Sequence, residues 1–378
     1  MGKTQTILLA GGGTGGHLYP GVSVAQALRQ LNPDFKPIFL CTTRELDRAI
    51  LVDTGFEFIP QPIVPPVKTI AGLVRFWRGW RETQELVRAL IKGDRPVAVL
   101  GLGGYAAGVA VKMAGEAKIP AAILNQDVIP GKANRYLLKY VQKVFCQYED
   151  TRSYIPANQR YKLEITGCPI RSDIRNLPTR QSAIGRLSLD MKLRTLVVTG
   201  ASQGAQTVNE AVLATLPAIR HQGWQVLHLA GKDHASNVQA KYAQLAIPAR
   251  VIDFTPEMAD VFAAADVVVS RSGASTCAEL AVCGVPSILM PYPFHKDMHQ
   301  RANARVLEDA GAAFLLNDER DATKNAAKMR PLLESLLYDE SRRSQMADAA
   351  RRLGKSDAAE QVAAALANFV SAEGSAGV

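Results

Sequence analysis

The sequence predicts an α/β protein made of two tandem domains, each a parallel sheet with helices on both faces. Three observations carry this. Short apolar runs alternate with helical patterns almost to the end of the 378 residues, as expected of parallel strands joined by crossover helices. A strand, a glycine loop and a helix open the chain at Thr6–His17, and the same unit returns at Arg194–Gln206. Aligning Gly11 with Gly200 places Gly15 on Gly204 and His17 on Gln206, an internal repeat. The length alone also makes two domains the default.

The elements follow in order. Ile7–Ala10 is an apolar strand, and the loop Gly11-Gly-Gly-Thr-Gly-Gly16 leads into a helix that can start at Pro20, since proline suits a first helical turn. Strand 36–41, helix 45–53 and strand 57–61 come next. Prolines 60, 62, 65 and 66 break regular structure before a long helical stretch, 70–92. Strand 97–100, a second glycine loop at 101–108, strand 121–124, helix 133–140 and strands 143–146 and 163–166 complete the first half. After the restart at Arg194, strands are expected at 225–229, 251–254, 267–270, 287–290 and 313–316. A helical, alanine-rich tail runs from Ala322, frayed after Ala372.

Composition narrows the class. Apolar residues make up 47% and charged residues 21%, which fits a soluble globular chain with an ample core. No apolar run reaches membrane-spanning length, and the N-terminus lacks the basic–apolar–small pattern of a signal peptide. Five scattered cysteines include no C-x-x-C pair, so neither a zinc site nor a disulfide framework is indicated and a reduced cytoplasm fits. The net charge of +9 is compatible with an anionic lipid surface, nucleic acid, an anionic substrate or solubility alone.

The first glycine loop lets backbone N–H groups approach a ligand, and the helix start adds positive potential, so an anion is the natural guest. A nucleotide P-loop is excluded, because Gly16 is followed by His17 rather than by Lys-Ser/Thr. A dinucleotide site is disfavoured, because the second strand ends in Cys41-Thr-Thr43 with no acid at its tip. His17 is the first side chain there able to carry a proton near neutral pH; a helix-capping histidine is the alternative. The densest polar cluster, Ser270–Glu279, starts at a strand end and enters a helix, again an anion site. Glu279 lies about one turn beyond Ser275 and suits the vicinal hydroxyls of a ribose; helix capping is the plainer role. In Asp297–Asn303, His299 and Gln300 can bond sugar hydroxyls. His295, Asp297 and His299 have no matching ligand partners elsewhere, so no metal is expected. Arg171 would clamp a phosphate or remain a surface charge.

Together these motifs resemble the MurG family of N-acetylglucosaminyltransferases. The resemblance rests on Gly11–His17, Gly103-Gly-Tyr105 with Gly108, Gly200–Ala205, Arg271-Ser-Gly-Ala with Thr276 and Glu279, and Asp297-x-His-Gln-x-x-Asn-Ala304. It implies a GT-B fold, two Rossmann-like domains with parallel sheets facing across a cleft. Residues 1–168 would form a lipid-acceptor and membrane-contact domain and 169–356 a UDP-GlcNAc domain, with the helix near 357–378 packing back on the first. The implied reaction is metal- and cofactor-independent: inverting transfer of GlcNAc from UDP-GlcNAc to the C4 hydroxyl of undecaprenyl-pyrophosphoryl-MurNAc-pentapeptide in peptidoglycan synthesis. His17 would be the base. Glu279 would hold the uridine ribose, and Phe254 and Thr255 would lie beside the uracil. Ser202, Gln203 and Arg171 would meet the diphosphate. Ser275, Thr276, His299 and Gln300 would surround the phosphates and sugar, and Thr14, Gly15, Gly16 and Asp127 would complete the donor contacts. Gly13, Thr14, His17, Gly104, Tyr105, Asn125, Gln126 and Asn134 would face the acceptor.

One motif departs. The family usually shows His-Glu-Gln-Asn where this chain has Leu124-Asn-Gln-Asp127, which moves a carboxylate two positions and opens the question of the acceptor. The stretch 70–92 combines Leu73, Phe76, Trp77 and Trp80 with Arg75, Arg78, Arg81 and Arg88, a composition suited to an anionic headgroup layer; an amphipathic core helix is the alternative. The implied setting is peripheral, on the cytoplasmic face of the plasma membrane, beside other cell-wall synthesis proteins and with no nucleic-acid partner. The rival readings are a related glycosyltransferase with another lipid acceptor, a UDP-GlcNAc epimerase of the same fold, and a cell-wall binding scaffold.

Overall fold

The computed structural model describes residues 4–200, 204–294 and 297–375, with side chains through residue 370. The chain divides into two compact units, residues 1–171 with 356–378, and residues 172–355.

The first unit holds β1 (Gln5–Gly11), α1 (Gly15–Leu31), β2 (Phe35–Thr42), α2 (Glu45–Val52), β3 (Glu57–Gln61), α3 (Ile70–Gly93), β4 (Ala98–Gly103), α4 (Gly108–Glu116), β5 (Ala121–Asn125), α5 (Lys132–Leu137), β6 (Lys143–Cys146) and β7 (Leu163–Ile165). Its seven strands lie in the order β3-β2-β1-β4-β5-β6-β7, and every pairing is parallel. The chain winds outward from β1 in one direction, then restarts at β4 on the other side. That reversal leaves a crevice at the carboxyl ends of β1 and β4, where open sheets of this kind take ligands.

Both faces of this sheet are covered, so its strands are apolar throughout instead of alternating. Leu18, Val22, Val24 and Leu28 of α1 and Leu51 of α2 pack on one face. Val87 of α3, Val109, Ala110 and Ala114 of α4 and Leu137 of α5 pack on the other.

In the second unit the elements are α6 (Ser172–Arg175), α7 (Arg180–Arg186), β8 (Arg194–Thr199), α8 (Gln206–Thr215), β9 (Trp224–Leu229), α9 (Ala235–Leu245), β10 (Ala249–Ile252), α10 (Met258–Ala264), β11 (Val267–Ser270), α11 (Ala274–Cys283), β12 (Ser287–Leu289), α12 (His299–Asp309), β13 (Ala313–Leu315), α13 (Ala322–Tyr338) and α14 (Glu340–Leu353). The strand order β10-β9-β8-β11-β12-β13 repeats that of the first sheet with one strand fewer. The internal repeat in the sequence is thus a repeat of topology, with β8 in the place of β1. The last helix, α15 (Ala358–Ser375), belongs to the first unit, where Ala359, Val362, Ala363 and Leu366 join the α1 face of the core.

Two local expectations are corrected. Helix α1 starts at Gly15, five residues before Pro20, which lies inside it. The extended Thr14 caps it, and the Thr14 carbonyl accepts from the amides of His17 and Leu18 at 3.2 and 3.3 Å. Pro20 forfeits one intrahelical bond, and burial of the α1 face outweighs that loss. Strand β10 ends at Ile252, two residues earlier than expected, so Phe254 stands in the loop beyond it.

Candidate functional site

At the switch point of the first unit the first two glycine loops interlock. Strand β1 pairs with β4, and the register slips just where the strands end, bringing Gly11 opposite Gly103. His17, in the first turn of α1, lays its ring across the second loop. A Cβ on Gly103 would stand 3.0 Å from His17 Cδ2, and one on Gly104 would stand 3.1 Å from His17 Cε1. Both glycines have positive φ, 105° and 71°. They are glycine because the backbone turns left-handed there and an imidazole fills the space a side chain would need.

His17 Nδ1 lies 3.1 Å from the Thr14 hydroxyl. Burial holds the imidazole below its ordinary pKa. The carboxylates of Asp127 and Asp47, together with a hydrogen bond to the Gly12 backbone, pull the other way. The ring is therefore neutral at pH 7, the state a proton acceptor requires. Tyr105 faces the same loop; burial raises its phenol pKa, with Arg44 and Asp47 acting in opposite senses.

Sequence reasoning missed the residue that shapes this loop. Asp47, in the first turn of α2, is wholly buried. It accepts from the Gly13 amide with both oxygens at 2.9 Å, from the Thr42 amide at 2.9 Å and from the Thr42 hydroxyl at 2.7 Å. Arg44 Nη1 donates to the Gly13 carbonyl at 2.9 Å. The missing acid at the tip of β2 is thus supplied five residues later, and it reaches back to the glycine loop. The amide of Gly13, which the sequence offers to a phosphate, is already occupied. An acid in the first turn of the helix after β2 was the available signal.

At the end of β5, the Asn125 amide nitrogen donates to the Asp127 carbonyl at 2.7 Å, and its oxygen accepts from Asn134 at 3.1 Å. Asn134 also donates to the Leu124 carbonyl at 2.9 Å. Asn125 therefore brackets its own loop. Gln126 Nε2 and Asn134 Oδ1 are buried without a hydrogen-bond partner among the described residues. Arg171 lies with its guanidinium 4.8 Å from the Tyr19 ring centroid.

In the second unit the equivalent switch point lies between β8 and β11. Ser202 and Gln203 fall outside the described residues, as does His295. Helix α11 begins after Gly273, which supplies no side chain to cap it. Ser275 and Thr276 lie in its first turn, and Glu279 lies four residues after Ser275, on the same face. All three are half-buried, as are Thr255, His299 and Gln300. Phe254 is exposed, and the Thr255 hydroxyl accepts from the Glu257 amide at 3.1 Å.

His299 Nδ1 pairs with Asp297 at 2.7 Å. Gln300 accepts from the Tyr292 amide through Oε1 at 2.9 Å, and its carbonyl accepts from the Ser272 hydroxyl at 2.8 Å. Among the described residues no group of three His, Cys, Asp or Glu is placed to hold a metal.

Arg271 and Asp318 underlie this region. Both are buried and 2.9 Å apart. Arg271 also donates to the Met290 carbonyl at 3.0 Å and to the Thr207 hydroxyl at 2.6 Å, and Asp318 accepts from Asn325 at 3.0 Å. The pair ties the ends of β11 and β12 and the start of α8 to the segment after β13. Burial pushes the Asp318 carboxyl up, but hydrogen bonds from Thr207, the Arg320 amide, Asn325 and Arg271 outweigh it and hold its pKa below the ordinary value. Burial likewise lowers the pKa of Arg271, against the pull of Asp318.

Helix α3 buries only Gly72, Gly79, Thr83 and Val87. Phe76 and Trp80 lean on the core, whereas Ile70 is 86% and Trp77 59% exposed, and Leu73 and Val74 are also exposed. Arg78 is exposed beside them and paired with Glu82 at 2.8 Å. An ordinary core helix would bury this ridge.

Comparison with known proteins agrees along the whole chain. Residues 7–146 match the glycosyltransferase family 28 N-terminal domain and residues 195–362 its C-terminal domain. The UDP-N-acetylglucosamine–N-acetylmuramyl-(pentapeptide) pyrophosphoryl-undecaprenol N-acetylglucosamine transferase of Halothermothrix orenii is 32% identical over 365 residues, covering 92% of this chain and 95% of that protein. The crystal structure of Acinetobacter baumannii MurG superposes with a TM-score of 0.76 at 23% identity, covering 96% of this chain and 99% of that one. A Neisseria meningitidis UDP-GlcNAc 2-epimerase bound to UDP-GlcNAc shares the architecture at a TM-score of 0.68 and 16% identity, covering 96% and 100%. Two Rossmann-like units of this strand order make the fold GT-B, and on its sequence relatives the chain belongs to the MurG family within glycosyltransferase family 28.

Proposed function

We propose that this enzyme transfers GlcNAc from UDP-GlcNAc to the C4 hydroxyl of undecaprenyl-pyrophosphoryl-MurNAc-pentapeptide, converting lipid I to lipid II in peptidoglycan synthesis. The observation that carries the reading is full-length membership in the MurG family, with both glycine loops of the first unit interlocked on His17. In the transfer, the acceptor oxygen bonds to the anomeric carbon of GlcNAc as the bond from that carbon to the β-phosphate oxygen breaks. The electron pair leaves on UDP, and His17 takes the hydroxyl proton. Configuration inverts because attack and departure lie on opposite faces.

The second unit is the donor side of this reading. The start of α11, with Ser275 and Thr276, stabilises charge developing on the diphosphate. Glu279 receives the ribose hydroxyls, and Phe254 and Thr255 flank the uracil. Ser202, Gln203 and Arg171 complete the diphosphate contacts, and His299 and the remaining amide donor of Gln300 meet the sugar.

On the acceptor side stand Gly13, Thr14, Gly104 and Tyr105. Gln126 and Asn134 join them in this reading, and Asn125 holds their loop in shape. Thr14, Gly15, Gly16 and Asp127 lie beside the transferred sugar. No helix among the described residues is long and apolar enough to cross a membrane. In this reading the exposed Leu73, Trp77 and Arg78, backed by the half-buried Phe76 and Trp80, meet the anionic cytoplasmic face of the plasma membrane, where the lipid acceptor resides and other cell-wall synthesis proteins work.

The epimerase likeness gives a second reading, in which the same donor site acts without an acceptor. Incubation with radiolabelled UDP-GlcNAc and candidate lipid acceptors decides between them. Label in the lipid fraction only when the muramyl-peptide lipid is supplied is expected; ManNAc formed without any acceptor would overturn the transferase reading.

A further inference from the structure

We propose that Asp47 is a positioning residue for catalysis: by clamping the first glycine loop it sets Thr14 to hold His17, and its charge stabilises the imidazolium formed when His17 takes the acceptor proton. The inference rests on the reading of His17 as the base.

The geometry runs in an unbroken chain. Asp47 is fully buried and takes the amide of Gly13 with both oxygens, while Arg44 takes the carbonyl of the same residue. The peptide units on either side of Gly13 are thereby held. The next residue, Thr14, caps α1, accepts from the His17 amide at 3.2 Å and sets its hydroxyl 3.1 Å from His17 Nδ1. The far edge of the ring rests on Gly103 and Gly104. The imidazole is fixed from both sides, with Asp47 at the root of one of them.

A carboxylate is required at this position. Three donors converge on it, the Gly13 amide, the Thr42 amide and the Thr42 hydroxyl. An asparagine would turn an NH2 group toward one of those N–H groups, opposing donor to donor. Space is as restricted as polarity, since a Cβ on Gly12 would come within 2.2 Å of Asp47 Oδ2.

The charge acts on His17 as well as the geometry. The groups that bear on the ring are Asp47 from α2, Asp127 from the loop after β5 and the Gly12 backbone. Arg44 just before α2 and Tyr105 after β4 flank the same loop. Both carboxylates raise the imidazole pKa against burial, so removing either charge makes His17 a weaker base.

The test uses the full-length enzyme with UDP-GlcNAc and a short-chain prenyl-diphosphoryl-muramyl-peptide. Asp47→Asn is expected to lower kcat about 10- to 100-fold, less than the roughly 10²–10⁴ of losing the base outright, with the UDP-GlcNAc KM within about twofold of the parent. The acid limb of kcat/KM is expected to move to lower pH, because the Asp47 charge raises the His17 pKa against burial. His17→Ala removes that limb, and adding Asp47→Asn to it lowers kcat no further, because the two act as one unit. Thr14→Val, which leaves the buried acid in place, reproduces the fall in kcat and serves if Asp47→Asn does not fold. An unmoved acid limb in Asp47→Asn, a fully multiplicative double variant or a Thr14→Val enzyme of parental kcat overturns the proposal. A His17→Ala enzyme that keeps the acid limb instead overturns the reading of His17 itself.

Discussion

At the switch point of the first sheet a buried acid, Asp47, meets backbone amides; at the same place in the second sheet a buried acid, Asp318, meets an arginine. The strand order around them is the same. Among the described residues Asp47 has no cation within ion-pairing distance, so its charge stays available to a proton on His17. Asp318 is neutralised by Arg271, which spends its donors on Thr207 and the Met290 carbonyl. A repeated fold has thus been given two electrostatic characters. The first region keeps an unpaired carboxylate beside a histidine, and the second binds its carboxylate into a buried ion pair.

The largest effect expected from this contrast is on rate. His17→Ala should lower kcat by roughly 10²–10⁴ at saturating acceptor, the usual cost of losing a general base, with donor affinity unaffected. Near-parental turnover would erase the distinction between the two regions.

Next in size is stability. Asp318→Ala leaves Arg271 buried without its counter-charge, which typically costs about 3–5 kcal/mol, measured by urea denaturation. Arg271→Met with Asp318→Leu should cost clearly less than the single change. The contribution has a predictable pH window. The folded pKa of Asp318 is depressed, so the stabilisation is fully present above the unfolded aspartate value, about 3.9, and is lost as pH falls through the folded value. A shallower pH dependence of unfolding in that acid range for Asp318→Ala than for the parent is the expected signature.

Glu279→Ala should weaken UDP and UDP-GlcNAc alike by about ten- to a hundredfold, the worth of a charged hydrogen bond. Calorimetry reading unchanged UDP affinity would remove Glu279 from the donor side. The smallest effect belongs to α3. Trp77→Ser with Arg78→Ser should reduce sedimentation with anionic vesicles several-fold, since one basic residue near such a surface is worth about 1 kcal/mol. High salt should do the same; equal pelleting of variant and parent would leave the exposed ridge without a membrane role.

The periodic features of the sequence determined the fold class. Apolar runs of strand length, separated by helical patterns and restarted at Arg194, specify parallel sheets because buried strands must be apolar on both faces. The glycine loops were equally legible, since only backbone constraints explain glycines packed at strand ends, and so was the mixed apolar and basic composition of residues 70–81, though not its exposure. What tertiary structure decided lies in contacts between segments far apart in sequence. Nothing local in Asp47 says that it reaches the Gly13 amide 34 positions away, or that Arg271 finds Asp318 47 positions on. Gly103 and Gly104 read as a loop, but the reason for them is the ring of His17. The start of α1 at Gly15 rather than Pro20 has the same origin. Propensity and pattern act within a few residues, whereas the burial that overrides a proline, or seats a carboxylate on an amide, exists only once the chain has folded.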